Sequence, residues 1–573
     1  MKEKSNKPHV FGLLKKYWKP AVLLLFLTLL ANILYLVVPK FISGGIDSYV
    51  LGKVISQSFY VEFALVSAGI FLLTYFQGIF QTYLAEKVSY DLRNSLADKV
   101  SRLSYRQIEE ETSSKLLTNF TSDMEAIKLF FSTAVATIIS SVVVIIGAAG
   151  LLLSINWKLA LAVLAILPLI GVLFVLVFGK LGPLFKKTQE IIDRFNTVIG
   201  ESVVGAAIVR VLNSGKTEYQ KFKVENDISK DISMKILKYF SFMIPIIGVI
   251  ANVAVLIILL LGGKFVIDTS MSLGDFTAFN SYVFILIFPI IMLGFVSSMI
   301  SRAQESYVRV QKVFNVVEEG DTGKVEEDLH GVIEVKDIVL NYGEKKILDH
   351  VSFSIQPGTK TAIIGPVAAG KTQLLQIIFG LTTPTSGQVL YDGKPLLDYS
   401  RETIHRQVAF VFQDSVMFNM SIFENIAFSQ AANDEHTQKA IETAELNDFI
   451  HTLPEGLNTV VSERGTSLSG GQKQRIMLAR ALALNPKILF LDDFTARVDA
   501  RTEKKILENV EKNYPSITLV SVTQKIQSAE HFDKIILLME GEVIAEGTHD
   551  ELTHSSAEYA QIIESQKSTQ TYE

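Results

Sequence analysis

Six apolar segments constrain this chain more than anything else in it. They run from Ala21 to Val38, Phe59 to Tyr83, Phe130 to Ile155, Leu159 to Phe178, Phe242 to Ile267 and Phe276 to Ile300. As helices, each is long enough to cross about 30 Å of hydrocarbon. The first is too long for a signal-peptide core and lacks a convincing small-residue cleavage site, so it reads as a retained span. Pro39 is placed to end or kink it. A hydrophobic content of 49% and a mean hydropathy of +0.32 agree with a large membrane part.

Charge orients the spans. The connections around 42–58, 155–158 and 268–275 contain only Lys53 and Lys158, whereas segments 1–19, 84–128 and 180–240 together hold 24 Lys and Arg. By the positive-inside rule both termini are cytoplasmic. Residues 1–315 carry 31 basic against 21 acidic side chains and the remainder 23 against 38, so a basic half faces lipid and an acidic half the cytosol. Residues 1–19 combine six lysines with Phe11, Tyr17 and Trp18, the make-up of an interfacial helix. Nothing resembles a basic nucleic-acid footprint, and without cysteine there are no disulfides or thiolate metal sites.

The two long basic segments keep helical periodicity, as in Val88–Leu103 and Ile191–Val211, and read as helices extended beyond the membrane. Turns are placed at 111–115 and at 213–216. The acidic, Gly-containing stretch 318–331 reads as a linker. From Val332 to Glu573 short apolar runs punctuated by Gly and Pro alternate with helical runs, a mixed sheet and helix domain of ordinary size. The polar tail after Tyr559 is expected to fray.

Two stretches of that domain carry chemistry. Thr361–Gly365 reads as a strand running into Gly365, Pro366, Val367, Ala368, Ala369, Gly370, Lys371 and Thr372, the spacing of a P-loop. Its backbone would wrap phosphates, Lys371 would neutralise the β and γ oxygens, and Thr372 would give an oxygen to Mg²⁺. Further on, Leu468, Ser469, Gly470, Gly471 and Gln472 precede the apolar-periodic run Ile476–Leu484. This places two glycines and a serine at a helix N-terminus, where free N–H groups favour an anionic oxygen. Ile488–Leu491 then reads as a buried parallel strand delivering Asp492 and Asp493 to its C-terminal edge.

The stretch from Gly465 to Asp499 resembles the signature and Walker B motifs of ATP-binding cassette (ABC) transporters, and with the six spans the whole chain is similar to an exporter half-transporter. The fold this implies is a membrane α-helical domain over residues 1–317, linker 318–331, and an α/β P-loop nucleotide-binding domain over 332–573. The resemblance implies ATP and Mg²⁺ as ligands, with Asp492, Thr372 and Gln413 around the metal. Tyr342 stands where the family stacks an aromatic on adenine, although aromatics favour strands in any case. Glu463-Arg464-Gly465 matches the exporter-specific segment before the signature, and Asp499 keeps the D-loop aspartate. The turns between the extended helices correspond to coupling helices.

Departures from the family pattern cluster at the reacting end. Ala368 and Ala369 replace a glycine and a serine. Asp493 stands where a catalytic glutamate is usual, shorter by roughly 1.5 Å of C–C bond, and Gln524 replaces the switch histidine and cannot take a positive charge. Ala496-Arg497-Val498 replaces Ser-Ala-Leu. Binding groups are kept while water-activating groups are changed, so this chain's own site reads as ATP-binding but poorly hydrolytic. The intact signature would complete a competent site on a second, non-identical half-transporter carrying the consensus glutamate and histidine.

For substrate, the polar or aromatic residues on apolar spans are Asn32, Glu62, Gln77, Asn252, Asn280 and Phe288. Intramembrane polar groups often face a cavity, but they also bond neighbouring helices. No span carries a buried Lys or Arg that would demand an anionic substrate, so an amphipathic drug, lipid or peptide stays open; that it is moved out, through a bacterial plasma membrane, is what the resemblance implies. An importer on the same fold, or a nucleotide-gated channel or regulatory subunit, stays open from the residues alone.

Overall fold

The computed structural model describes residues 9–570 apart from 112, 319–322, 430–431, 463–464 and 466. Two compact units result: one from residues up to 101 together with 111–317, the other from 102–110 together with 318–573.

The first unit is helical. Among the described residues six helical stretches are long and apolar enough to cross a membrane: Trp18–Val50, Gln57–Ser101, Ser114–Ile155, Trp157–Val204, Gly215–Ile267 and Leu273–Phe314. Each contains one of the six apolar segments and overruns it. Pro39 does not end the first helix, which continues to Val50. In the same turn the buried Tyr282 hydroxyl donates to the Leu36 carbonyl at 2.8 Å, tying the sixth stretch to the first.

Short connections are fixed by caps. Asn156 accepts from the N–H groups of Lys158 and Leu159, both at 3.1 Å, to start the fourth stretch. Asp47 accepts from the Ser272 hydroxyl and the Gly274 N–H at 2.7 Å each, which ties the start of the sixth stretch to the first. A Cβ at Gly274 would lie 2.1 Å from the Ser43 carbonyl, so only glycine permits this approach. Deeper in the chain a π-helical turn, Asn119–Asp123, presents Asp123 to Ser306 at 2.9 Å and to Arg309 Nε at 3.0 Å. A carboxylate only 1% exposed is thus paired rather than left bare. The N-terminal stretch is docked, with the Tyr17 hydroxyl donating to Asp91 at 2.9 Å and Phe11 edge-on to Phe130.

The turn placed at 213–216 occurs one residue early, over Leu212–Ser214, with Asn213 at φ 51°. The turn placed at 111–115 includes residue 112, which is outside the described residues; helices Tyr105–Glu111 and Ser113–Thr118 lie to either side, and the chain also turns over Arg102–Ser104.

Among the described residues of the second unit ten strands form two sheets. The strands are β1 (Ile333–Tyr342), β2 (Lys345–Ile355), β3 (Lys360–Ile364), β4 (Ser386–Tyr391), β5 (Lys394–Pro395), β6 (Val408–Val411), β7 (Ile488–Asp492), β8 (Thr518–Thr523), β9 (Lys534–Met539) and β10 (Glu542–Gly547). A four-stranded antiparallel sheet runs β2-β1-β4-β5, and a six-stranded sheet runs β10-β9-β3-β8-β7-β6. In the latter only the β10–β9 pair is antiparallel. β7 and β8 are buried along their whole length, as their unbroken apolar runs require.

Two expectations change at the edges of this unit. The described part of 318–331 is not a loose tether: Lys324 and Val325 donate to Asp398 O, and Leu329 is 1% exposed, with its N–H on Gln407. Nor does the tail fray after Tyr559. It forms the helix Ala557–Gln570, anchored by the buried Tyr559 ring and the His549–Tyr559 hydrogen bond at 2.9 Å.

Candidate functional site

Four neighbouring parallel strands, β3, β8, β7 and β6, end on one edge of the large sheet, and each hands the chain to a candidate residue. This is the edge where α/β sheets bind ligands. β3 runs into the loop Gly365–Gly370, β7 ends in Asp492, β8 leads to Gln524 and β6 to Gln413. Gly365 has no alternative, since a Cβ there would meet the Leu538 carbonyl at 1.9 Å. Gly370 adopts φ 94° as the cap of helix Lys371–Phe379. Ala368 also lies in the left-handed region, at φ 66°, without glycine's freedom. Ala369 is buried, and Val367 and Pro366 form the outward part of the loop.

A small concavity of about 130 Å³ is lined by this loop, Lys371, Thr372, Gln413, Asp492, Asp493 and Gln524. The Lys371 ammonium donates to the carbonyls of Gly365 and Pro366 at 2.8 and 2.7 Å. Burial lowers its pKa, against the pull of Asp493 and Asp492. The Thr372 hydroxyl donates to Asp492 at 3.1 Å. Burial pushes the Asp492 carboxyl up to about 6; the Thr372 bond opposes this and the charge of Asp493 adds to it. Asp493 sits at φ 46° and accepts from the Gln413 side chain at 3.3 Å. Tyr342 ends β1, is 41% exposed and lies outside this lining.

Mg²⁺ fits this donor set. Hydroxyl, amide and carboxylate oxygens suit a hard cation. Among the described residues no cluster of three His, Cys, Asp or Glu could hold a metal by itself, and Mg²⁺ in such sites leans on phosphate and water. Asp492, 2% exposed and with its pKa raised, is a carboxylate whose charge a cation would stabilise.

The second anion-facing feature lies at the start of helix Gly470–Leu482. Ser469 caps it: its hydroxyl accepts from Gln472 N–H at 3.2 Å, and the Gln472 side chain accepts from Ser469 N–H at 2.8 Å. The side chains of both are therefore engaged in a capping box. The capping box uses the oxygens of both side chains, so what Ser469 and Gln472 could offer a ligand is the hydroxyl proton and the amide N–H₂, beside the backbone of Gly470 and Gly471. A concavity of about 520 Å³ opens here, lined by Ser469–Gln472, Arg475 and Arg497–Asp499. The Arg497 stem crosses Gly470 and its carbonyl presses on Gly471, where a Cβ would lie 2.9 Å away. Asp499 caps the helix Ala500–Asn513 through Thr502 N–H at 2.9 Å, which holds its carboxyl below the usual range. Leu468 packs against the apolar core. Glu463 and Arg464 lie outside the described residues.

Several supporting residues were missed by the sequence reading. Gln474 donates to the Gln413 carbonyl at 2.9 Å. Gln566 of the last helix brackets the Gln524 turn, donating to Gln524 O at 2.6 Å and accepting from Ile526 N–H at 3.0 Å. The position of Arg475, one turn after the signature, was a usable signal; nothing in the tail marked Gln566.

The membrane candidates differ in their surroundings. Asn32 bonds within its helix and to Ser140 at 2.9 Å. Asn280 has a buried side-chain oxygen without a partner among the described residues. Gln77 is half-buried, and Asn252, Glu62 and Phe288 are exposed.

Comparison with known proteins agrees with this geometry. Residues 21–290 match the ABC transporter transmembrane region, and residues 348–496 match the ABC transporter model. The chain is 32% identical over 561 residues to the uncharacterized ABC transporter ATP-binding protein YfiB of Bacillus subtilis (strain 168), covering 96% of this chain and 97% of that one. It is 29% identical over 574 residues to the probable multidrug resistance ABC transporter ATP-binding/permease protein YheI of the same organism, covering 96% of each. It is 28% identical over 497 residues to the ATP-dependent lipid A-core flippase of Syntrophus aciditrophicus (strain SB), covering 85% and 82%. The structure of a bacterial Atm1-family ABC exporter with ATP bound shares the fold, at a TM-score of 0.77 and 22% identity over 97% of this chain and 99% of that one. With six membrane-length helices ahead of a sheet whose strand ends carry a P-loop and an Asp492–Asp493 pair, the chain is an integral membrane protein and belongs to the ABC transporter family.

Proposed function

We propose that this chain is one half of a heterodimeric ATP-driven exporter of amphipathic compounds, and that its own Walker site binds Mg²⁺·ATP but hydrolyses it poorly. One observation carries the reading. The groups that hold phosphate and cation, Lys371, Thr372, Asp492 and Gln413, converge within one small concavity. The two that would act on water there are Asp493 and the uncharged Gln524.

Lys371 is buried on the loop carbonyls and would exchange them for phosphate oxygens. Thr372, Asp492 and Gln413 would hold Mg²⁺, which when bound offsets the phosphate charge. Asp493 is tied to Gln413 and is a methylene shorter than glutamate, and about 1 Å of misplacement can cost about 10²-fold. Gln524 donates a neutral hydrogen bond where a cation would better stabilise charge developing on the γ-phosphate. The signature, with Gly470 and Gly471 in place, would face the nucleotide of a non-identical partner whose glutamate and histidine follow the family pattern. Both termini and the nucleotide-binding unit would be cytoplasmic in a bacterial plasma membrane. The multidrug and lipid A relatives support an amphipathic cargo.

ATP turnover and nucleotide binding of the chain purified alone in lipid test this reading together. Binding without turnover is the expected result. Turnover within the roughly 1–100 s⁻¹ usual for kinases, abolished by Asp493→Asn, would make Asp493 a working base and return a homodimer.

A further inference from the structure

The segment 102–110 lies between two membrane-length helices in sequence, yet it packs as part of the nucleotide-binding unit. Leu103 and Ser104 are buried, and helix Tyr105–Glu111 follows at once. Its first two side chains lie against aromatic residues of that unit. Tyr105 stacks on Phe412 with ring centroids 6.3 Å apart and planes 27° apart, and Phe412 immediately precedes Gln413. The Arg106 guanidinium carbon lies over the Tyr342 ring, 5.6 Å from its centroid.

Tyr342 has little else to hold it. It is the last residue of β1, paired across the turn only with Lys345, beyond a register shift at Leu340/Asn341. With 41% of its surface exposed, the ring keeps open area while carrying a guanidinium. A planar cation over an aromatic ring attracts it electrostatically, and more strongly once water is removed. A purine stacked on the open side of the ring would remove that water.

We propose that Arg106 is a positioning residue for the nucleotide base. It holds the plane of Tyr342 from one face so that the other stacks on adenine, in a layered order of guanidinium, phenol and purine. This rests on the nucleotide-binding reading above and adds to it a residue from outside the nucleotide-binding sequence. The phosphate groups at Lys371 belong to a separate lining, so Arg106 acts on the base and not on the triphosphate.

The test compares equilibrium binding of Mg²⁺·ATP and Mg²⁺·tripolyphosphate to the full chain in lipid, for wild type, Arg106→Ala, Arg106→Lys, Tyr342→Leu and the double variant. Arg106→Ala is expected to weaken ATP about three- to tenfold and to leave tripolyphosphate unchanged. Arg106→Lys, keeping charge but not the plane, should recover only part of the loss. On a Tyr342→Leu background, Arg106→Ala should add nothing. Equal loss of both ligands in Arg106→Ala would overturn the proposal in favour of a general charge or folding role. So would unchanged ATP affinity in Arg106→Ala alongside a loss in Tyr342→Leu. A wild-type chain that binds neither ligand would remove the nucleotide-binding reading itself, a separate failure.

Discussion

Compare the loop Gly365–Lys371 with the helix start at Ser469–Gln472. Both turn backbone N–H groups toward an anion, and both depend on glycine to do it. At the first, alanine occupies a left-handed position, Ala368 at φ 66°, and the carboxylate beyond it is short. At the second, Gly470 and Gly471 are retained under a close contact with Arg497, and a capping box fixes the turn. One site tolerates backbone strain and altered chemistry; the other has kept the residues its geometry needs. That asymmetry is what the proposed function asks for, with one site binding nucleotide statically and the other serving turnover on a partner.

The largest test of that contrast is Gly471→Ala. Its Cβ would stand 2.9 Å from the Arg497 carbonyl, a backbone atom that cannot swing aside. The helix start must shift, and a shift of about 1 Å at a positioned group costs about 10²-fold. ATPase activity of the assembled transporter should fall by that order, while nucleotide binding through Lys371 in this chain stays as it was. Gly470→Ala should be milder, because its nearest neighbour is the flexible Arg497 Cδ at 3.1 Å. If Gly471→Ala weakens binding in the isolated chain as much as turnover in the assembly, the two sites are not separable and the comparison fails.

Much of this contrast could be read before any coordinates. The P-loop and the Asp492–Asp493 pair were legible because buried strands are short apolar runs and the residues just past their ends are fixed by the sheet edge. The six spans were legible because length and apolarity alone define them. Side-chain engagement was not. Ser469 and Gln472 have capping-box spacing, yet the signature reading assigned them to a ligand, and Asp499 likewise serves its own helix. Neighbour-dependent features escaped entirely. Pro39 continues a helix because its neighbours permit it, Leu329 turns a linker into a packed strap, and Gln566 reaches Gln524 across 42 positions. No local pattern encodes a contact whose partner is that far along the chain.

A smaller effect separates the two regions by pH. The Walker concavity is lined by a buried carboxylate with a raised pKa, Asp492 at about 6, with burial the main cause, whereas Asp499 in the signature lining is held below the usual range. A proton and Mg²⁺ compete for that oxygen, and the protonated form dominates below the raised pKa. Mg²⁺-dependent nucleotide affinity should therefore hold above pH 7 and decline as pH falls through about 6. The same titration in EDTA isolates the nucleotide's own phosphate protonation. A Mg²⁺-dependent component that is flat from pH 7.5 to 5.5 would mean that Asp492 stays ionised throughout and is better solvated than its 2% exposure implies.

The smallest effect is Ala368→Gly, which repairs the Walker side toward the signature side. An alanine in the left-handed region carries a strain of about 1–2 kcal/mol. Glycine relieves this but gives back about 0.4–1 kcal/mol through the freedom of the unfolded chain. The net gain is about 1 kcal/mol or less, a rise of a few degrees in the thermal midpoint of the nucleotide-binding unit. Turnover should not return with it, because Asp493 and Gln524 are untouched and follow β7 and β8 rather than lying on the loop. Stability without turnover would agree with the proposal that Asp493 and Gln524 limit hydrolysis and would leave the strain at 368 a matter of stability alone. Recovery of turnover in this single variant would instead make the loop, not the short carboxylate, the limit on hydrolysis.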